Sequence, residues 1–343
     1  MTPVTVVILN WNGKSWLEKF LPSVVASSYE KMEILVVDNA STDDSVTFLH
    51  KNFPSVRVEV LDSNYGFAGG YNLSLPFVHT PYLVLLNSDV EVDPDWLGPL
   101  VEMADADPAI AAVQPKIRAI HDRESFEYAG AAGGFIDFFA YPFCRGRLFD
   151  IAEKDSGQYD APLEIFWATG ACCLVRKRVV EEIGLFEGEF FAHMEEIDFC
   201  WRAKNYGYKI MYQPQSVVYH VGGGALPKSN PHKTFLNVRN SLACMYRNLP
   251  QGQVFFRMLV RLVLDGVWGF RSLLRWDWGT IGAIIQAHWA FFRKIPHWRK
   301  RRREIYPQLP TTMPQGGYYP RSVVWLHFGK GIKHWQDLPS IKS

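Results

Sequence analysis

Across its first 115 residues the chain alternates short apolar runs with helical patterns, and that alternation limits the fold more than any other feature. The runs are TVVILN, EILVVDN, VRVEVL, YLVLLN and IAAVQP, with helices expected from about Lys14, after STDDS, after the glycine-rich GFAGG, and after Pro94. Such alternation predicts an α/β fold, a mostly parallel sheet covered by helices on both faces. Ligands of these sheets bind beyond the carboxyl ends of the strands. Three expected strands finish there with polar groups: Asn10, Asp38, and the triplet Asn87, Ser88, Asp89.

Each polar group has a chemical and a plain reading. Asp38 is placed to accept hydrogen bonds from a base or a ribose, whereas Ser41 or Thr42 would cap the next helix with Asp43 and Asp44 in its first turn. The stretch NYGFAGGYN, with Asn64, Gly66, Gly69 and Asn72, reads as a loop that lets backbone approach a ligand and point amides at phosphate, or as a simple turn. Asp89 suits a hard divalent cation that bridges a carboxylate to substrate phosphates. Asn, Ser and Asp are equally at home in a turn.

Further along, HMEEIDFCWR opens a helix with Glu195 and Glu196 and spaces Asp198 and Arg202 as i and i+4. Early acids complement the helix dipole, and the Asp–Arg pair reads as a surface ion pair. Phe190, Phe191, Phe199 and Trp201 make the surroundings apolar, and partial burial raises a carboxylate toward a useful base. His220 ends another expected strand before Gly222, Gly223 and Gly224. That placement suggests a ligand beside a mobile loop. From about 116 to 165 the pattern loosens, with no clear helix.

Taken together these pieces resemble glycosyltransferase family 2, inverting enzymes with the GT-A fold, and in particular its rhamnosyltransferase-like branch. The resemblance runs in order through VVILNWNG, EILVVDNASTDDS, NYGFAGGYN, LLNSDVEVDPDWL, GLFEGEFFAHMEEIDFCWRAKNYGYKI, VVYHVGGG and NVRNSLACMYRNLP, covering about residues 1 to 248. It implies that Asp38 contacts the nucleoside of a nucleotide-sugar donor and that residues 64 to 72 line the donor pocket. Asn87 to Asp89 would be the DxD element, with Asp89 and His220 as ligands of Mg²⁺ or Mn²⁺. Glu196 would be the catalytic base, with Glu195, Asp198 and Arg202 orienting it and the acceptor. The segment Trp167 to Ala171, with Gly170, and the loop after His220 would shape the acceptor site. Two positions depart from the family pattern: Asn87 replaces the first acid of DxD, and Glu196 replaces the more common Asp.

The charge is unevenly divided. Residues 1–250 hold 21 Lys+Arg and 31 Asp+Glu, whereas residues 251–343 hold 15 and 4. A catalytic domain over 1–250 and a basic, aromatic helical tail over 251–343 are therefore expected. Projected as a helix, Val254 to Trp276 separates Arg257, Arg261, Asp265, Arg271 and Arg275 from an apolar side with Phe255, Phe256, Leu259 and Val263. RKIPHWRKRRR follows, with seven Lys+Arg in eleven residues. Basic clusters beside Trp-bearing amphipathic helices suit an anionic membrane surface. Packing on the catalytic body or a dimer interface is the alternative.

The longest uncharged tail run, Trp278 to Phe292, has 15 residues, short of the roughly 18 needed to span a bilayer. Five cysteines without a CxxC pair argue against a disulfide framework or a thiolate zinc site, and the amino terminus reads as a strand, not a signal peptide. The expectation is thus a cytoplasmic enzyme, peripheral at the inner membrane face, moving a sugar, rhamnose by family branch, to a glycan or lipid-linked acceptor in envelope polysaccharide synthesis. Nucleic acid is not expected as a partner, since no nucleic-acid fold motif accompanies the basic run. A nucleotidyltransferase and a non-catalytic scaffold are the rival readings.

Overall fold

The computed structural model describes residues 1–222 and 230–339. Gly223 and Gly224, in the loop expected to follow His220, lie outside the described residues. The first part runs β1 (Val4–Asn10), α1 (Lys14–Val25), β2 (Met32–Asp38), α2 (Ser45–Asn52), β3 (Arg57–Val60), α3 (Gly66–Ser74), β4 (Tyr82–Asn87), β5 (Val90–Val92), α4 (Leu97–Ala106) and β6 (Ile110–Ala119). Then come β7 (Asp122–Phe126), β8 (Gly134–Asp137), β9 (Pro142–Cys144), β10 (Arg147–Leu148), β11 (Ile151–Ala152), β12 (Leu163–Ile165), β13 (Cys172–Arg176), α5 (Lys177–Ile183), α6 (Glu195–Asn205), β14 (Lys209–His220) and α7 (Pro231–Asn248). The tail forms α8 (Val254–Leu273), α9 (Trp278–Arg293), α10 (Ile295–Ile305), β15 (Tyr318–Tyr319) and one π-helical turn, Trp325–Gly329.

The main sheet has the order β12-β14-β6-β13-β4-β1-β2-β3, with β5 on β14 and β7 on β6. Its half β3-β2-β1-β4 is parallel, as the alternation predicts. Beyond β4 the sheet is mixed: β13 runs antiparallel to β4 and β6, while β14 is parallel to β6. The physical reason is the connection. A parallel neighbour needs a crossover, usually helical, whereas β13 is reached through the strand-rich stretch after β6. That stretch, which looked irregular in sequence, builds a second sheet in the order β11-β10-β9-β8-β15.

Alternation along the strands divides the core into two layers. Val4, Val6 and Ile8 of β1 face a layer with Leu17, Leu21, Leu97 and Leu100, and Val7 faces the other with Tyr71, Trp201 and Leu242. Two local expectations change. The GFAGG glycines form the first turns of α3, not a loop before it; a Cβ on Gly70 would lie 2.6 Å from Leu9 Cδ1, so glycine is what lets α3 settle on β1. Helix α2 begins at Ser45, later than the STDDS signal suggested. Ser41 and Thr42 are used elsewhere: Ser41 Oγ accepts from Asn12 N at 2.8 Å, and Thr42 N donates to Asn12 Oδ1 at 2.7 Å.

The change in composition near residue 250 is not a break in the core. Phe291, Trp298, Tyr319 and Val323 belong to the same apolar cluster as α6 and α7. β15 pairs in parallel with β8, and Val323 N donates to the buried Asp137 Oδ2 at 3.0 Å. Helix α8 has the two faces read from sequence, but Arg257, Arg261 and Asp265 point inward while Phe255 and Phe256 face out, 82% and 58% exposed. Arg261 Nε donates to Asp265 Oδ1 at 2.9 Å, and Asp265 Oδ2 lies 3.1 Å from His288 Nε2 on α9. Arg257 and Arg261 also lie over the rings of Phe138 and Tyr141 at 4.1 and 4.4 Å. Within the basic run, Arg301 Nε reaches Glu187 Oε2 at 2.6 Å, and Arg302 NH1 donates to the carbonyls of Tyr246 and Arg247 at 2.8 and 3.0 Å. Those two charges hold the tail to the body and are not free for a lipid surface.

Gly70→Ala is expected to lower the unfolding free energy by about 1–3 kcal/mol, the usual cost of overpacking. Urea denaturation measures it, and an unchanged midpoint would mean that Leu9 yields without cost.

Candidate active site

The parallel strands deliver their polar ends to one edge. At the end of β1, the buried Asn10 donates through Nδ2 to Asp38 Oδ2 at 2.9 Å and to Ser41 Oγ at 3.2 Å. Asp38 Oδ1 accepts from Ser41 N at 2.8 Å. Both Asp38 oxygens are thus engaged within the protein, with lone pairs remaining. Asn10 Oδ1 is buried without a partner. A Cβ on Gly13 would lie 2.3 Å from that oxygen and 3.5 Å from Ser88 Oγ, which puts the ends of β1 and β4 side by side.

Asn39, not singled out in the sequence, ties in the next loop. Its Nδ2 donates to Asn64 Oδ1 at 3.0 Å and Gly66 O at 3.1 Å, and its Oδ1 accepts from Tyr65 N at 2.9 Å. The expectation that the 64 to 72 amides point at phosphate needs correcting. Gly66 N is bonded to Asn64 Oδ1 and Ala68 N to Phe191 O. Asn72 is turned away from any donor, exchanging two 3.0 Å hydrogen bonds with the backbone of Phe186. Gly69 serves packing, since a Cβ there would lie 2.8 Å from Tyr65 Cβ.

Asp89 and His220 do meet. The short strand β5, directly after Asp89, pairs with the end of β14 so that Val90 opposes His220, and Asp89 Oδ1 lies 3.2 Å from His220 Nε2. The other ring nitrogen lies 3.1 Å from Glu127 Oε2, just past β7. Burial alone would lower the imidazole pKa, but the two carboxylates more than reverse this and raise it to about 10. A cation there would have to displace the imidazolium proton; an Asp oxygen and the freed imidazole nitrogen form a donor set that suits Mn²⁺ better than Mg²⁺, which takes oxygen ligands. A carboxylate on the far nitrogen is the usual way a ligating histidine is oriented. Glu127 is therefore a site residue that the sequence did not mark. Among the described residues no group of three or more His, Cys, Asp or Glu side chains could hold a metal ion. Asp89 and His220 would fill about two of the six positions of an octahedral cation, which fits one that shares its remaining positions with phosphate and water.

The second group of acids stands at the start of α6. The preceding residues Phe191, His193 and Met194 all have left-handed backbone, with φ of 63°, 70° and 74°, a conformation that persists only when neighbours impose it. Those neighbours are on α7: Asn240 Nδ2 lies 2.8 to 3.0 Å from the carbonyls of Phe190, Ala192 and His193, and Arg239 NH2 donates to those of Glu189 and Phe190. Glu195 is buried and Glu196 half-buried, each with Oε2 lacking a partner. Burial, and then the charge of Glu196, push Glu195 well above the usual carboxylate range. Burial raises Glu196 to about 7, against the pull of the helix N–H groups. Glu196 also acts on the buried Cys173 thiol, whose residue pairs with Leu85 of β4, the strand that leads into Asn87, Ser88 and Asp89.

Asp198 and Arg202 correct the reading of a surface ion pair, since both are buried. Asp198 Oδ2 accepts from Arg202 Nε at 2.8 Å and Arg247 NH1 at 3.0 Å, and Oδ1 from Asn248 Nδ2 at 2.7 Å. Burial would raise its pKa, but the two guanidiniums hold it below the usual value. Arg202 also donates through NH1 to the carbonyls of Ile183 and Gly184, closing the end of α5. Trp167 is likewise packed inside, its Nε1 bonded to Phe135 O at 2.8 Å. Gly170 does lie near the site, 2.9 Å at its virtual Cβ from the Phe67 ring, and Ala171 O accepts from Asn87 N at 2.9 Å.

Arg247→Ala leaves Asp198 short of a charge partner in the interior. A loss of about 3–5 kcal/mol of unfolding free energy at neutral pH is expected, measured by urea titration; a loss under ~1 kcal/mol would show that Arg202 and Asn248 suffice.

Comparisons with known proteins show the family and the fold. The model of glycosyl transferase family 2 matches residues 5–184. An N-acetylglucosaminyl-diphospho-decaprenol L-rhamnosyltransferase of Mycobacterium tuberculosis is 24% identical over 233 residues, 63% of this chain and 75% of that protein. A poly-beta-1,6-N-acetyl-D-glucosamine synthase of Staphylococcus aureus is 24% identical over 225 residues, 63% of this chain; the match spans only 49% of that protein. The solved mannosyltransferase PcManGT from Pyrobaculum calidifontis, in complex with GDP-Man and Mn²⁺, superposes with a TM-score of 0.52 at 14% identity, covering 85% of this chain and 87% of that one.

Proposed function

Because the chain belongs to glycosyl transferase family 2, we propose that it is an inverting enzyme which moves a sugar to a glycan or lipid-linked acceptor in envelope polysaccharide synthesis. It is a nucleotide-sugar glycosyltransferase with the GT-A fold. The observation that carries the mechanistic reading is the meeting of Asp89 and His220 at 3.2 Å, at the ends of β4 and β14. Rhamnose is the favoured sugar, on the strength of the mycobacterial relative's name. Because that relative's named acceptor is a polyprenyl lipid, we place the enzyme at the cytoplasmic face of the membrane, with an anionic lipid surface as partner.

In this reading Asn10, Asp38 and Asn64 form the nucleoside side of the donor pocket, while Asn87 and Ser88 line its diphosphate side. Asp89 and His220 would hold a divalent cation, with Glu127 fixing the imidazole. Bound there, the cation supplies neutralisation of the charge that grows on the departing nucleoside diphosphate. Glu196 takes the proton of the acceptor hydroxyl as its oxygen bonds to the anomeric carbon. The bond from that carbon to the diphosphate oxygen breaks with its electron pair on the leaving group, and displacement from the opposite face inverts the configuration. A base near pKa 7 is ionised at working pH and still basic enough to accept a proton. Burial and the charge of Glu196 raise Glu195 well above the usual carboxylate range, which disfavours a second charge beside the base.

Transfer assays test the base. The rate should rise with pH through about 7, as Glu196 ionises, and Glu196→Gln should lose on the order of 10²–10⁴-fold in kcat. Glu195→Gln should lose much less, and equal modest losses from both would overturn the single-base assignment. Calorimetry of UDP, dTDP and GDP tests the metal site. Binding should need Mn²⁺ or Mg²⁺ and vanish in Asp89→Ala, and Glu127→Gln should weaken metal affinity by roughly 10–100-fold. Tight nucleotide binding without metal would count against Asp89 and His220 as ligands.

A further inference from the structure

We propose that the outward apolar face of α8 and α9 is a membrane-insertion surface whose occupant is an anionic lipid bilayer. The inference rests on the lipid-surface reading above and names the side chains that meet it. Helix α8 is polar inside and apolar outside. Arg257, Arg261 and Asp265 complete its inner contacts, so the outer stripe is not a core awaiting more of this chain's own packing. Along α8 the exposed residues Phe256, Leu259, Val263, Val267 and Phe270 recur at helical spacing, and on α9 Ile285, Trp289 and Phe292 do the same. Between α8 and the Trp325–Gly329 turn a groove of about 520 Å³, lined by Val260, Leu264, Trp325 and Phe328, opens on this surface. An apolar face of this extent on a globular protein marks an interaction site.

Charge and aromatic placement select lipid over protein. Trp276 and Trp278, at the α8–α9 corner, are 77% and 59% exposed, and tryptophan favours the boundary between headgroups and acyl chains. The exposed cations are Arg271 on α8, Arg275 in the turn after it, Arg293 on α9, and Arg299 and Lys300 on α10. Of the four acids of residues 251–343, Asp265 is buried against Arg261, Asp277 caps α9 through Thr280 N and Glu304 pairs with Arg301, which leaves Asp337 as the fourth. Among the described residues no helix is long and apolar enough to cross a membrane, so α8 and α9 would lie in the plane of the interface with the apolar face buried. Helix α7 packs on α9 and on α6 and also holds the loop before Glu195. A bilayer seated on α8 and α9 would therefore be fixed in orientation relative to the base.

The test is flotation of the full chain with phosphatidylcholine vesicles, with and without phosphatidylglycerol, alongside nucleotide binding in solution. The triple variant Phe256→Ser, Val263→Ser, Phe270→Ser should lose flotation by roughly tenfold or more on both vesicles while binding nucleotide as the wild type does. The variant Arg271→Gln, Arg275→Gln, Arg299→Gln, Lys300→Gln should lose only the preference for the anionic vesicle. Flotation that survives the serine variant but fails in the glutamine variant would overturn the insertion face and leave the membrane partner standing. A wild type that does not float and sediments as a dimer, which the serine variant makes monomeric, would overturn both in favour of a second copy of this chain. Flotation as expected with no nucleotide binding would sink the transferase reading and keep the insertion face.

Discussion

The carboxylate of Asp198 is the point on which the catalytic half of the molecule depends. It is fully buried on α6, and an ionised acid there is tolerated only when charge partners and hydrogen bonds replace its water. Arg202 supplies one from its own helix, and Arg247 and Asn248 supply two more from α7. Arg247 also reaches Glu187 at 3.3 Å, and Glu187 accepts from Arg301 of α10. One buried acid thus connects the base helix, the helix behind it and the carboxy-terminal tail. This is why the tail cannot be considered a loose appendage, and why Glu195 and Glu196 stand at a fixed height above the sheet.

The same helix turn holds carboxylates with opposite tendencies. Asp198 meets two guanidiniums and is held low, whereas Glu196, two residues earlier, has no partner for its Oε2 and is raised by burial to about 7. Sequence spacing cannot separate those fates, since both acids lie in the first turn of an amphipathic helix. What separates them is the partner brought by α7, some fifty residues away along the chain. Environments that drive neighbouring acids apart identify which of them handles protons.

Legibility followed how local the cause was. Strand ends at Asn10, Asp38 and Asn87 could be read because apolar alternation and a polar stop are adjacent in sequence, and the sheet geometry then brings them together. Asp89 and His220 were legible only through the family resemblance, for their 131-residue separation is closed by the β5–β14 pairing. Glu127 and Asn39 left no signal, because a carboxylate after an edge strand and an amide in a turn look ordinary until their partners are known. Asn240 and Arg247 lay in a stretch quoted for the resemblance, and their spacing on one face of α7 was the available clue. Arg202 and Asp198 were read too near the chemistry because an i, i+4 ion pair looks the same exposed or buried.

Helix α8 shows the limit of pattern reading most clearly. Residue spacing at the helical period reveals that two faces differ and leaves open which one the protein covers. Here Asp137, Tyr141 and Phe138 present a carboxylate and two rings to the helix, a surface that suits guanidinium better than alkyl groups, and the chain answers with Arg257 and Arg261. The cost of desolvating those arginines is offset by Asp265 and the ring faces. Once the charged side is committed inward, the apolar side must face out, and in water that arrangement has a standing penalty in exposed apolar area. The bilayer proposed above would remove that penalty by covering the apolar side. The inward arginines and the outward phenylalanines are therefore one choice, and it favours a chain whose working surroundings include something other than water.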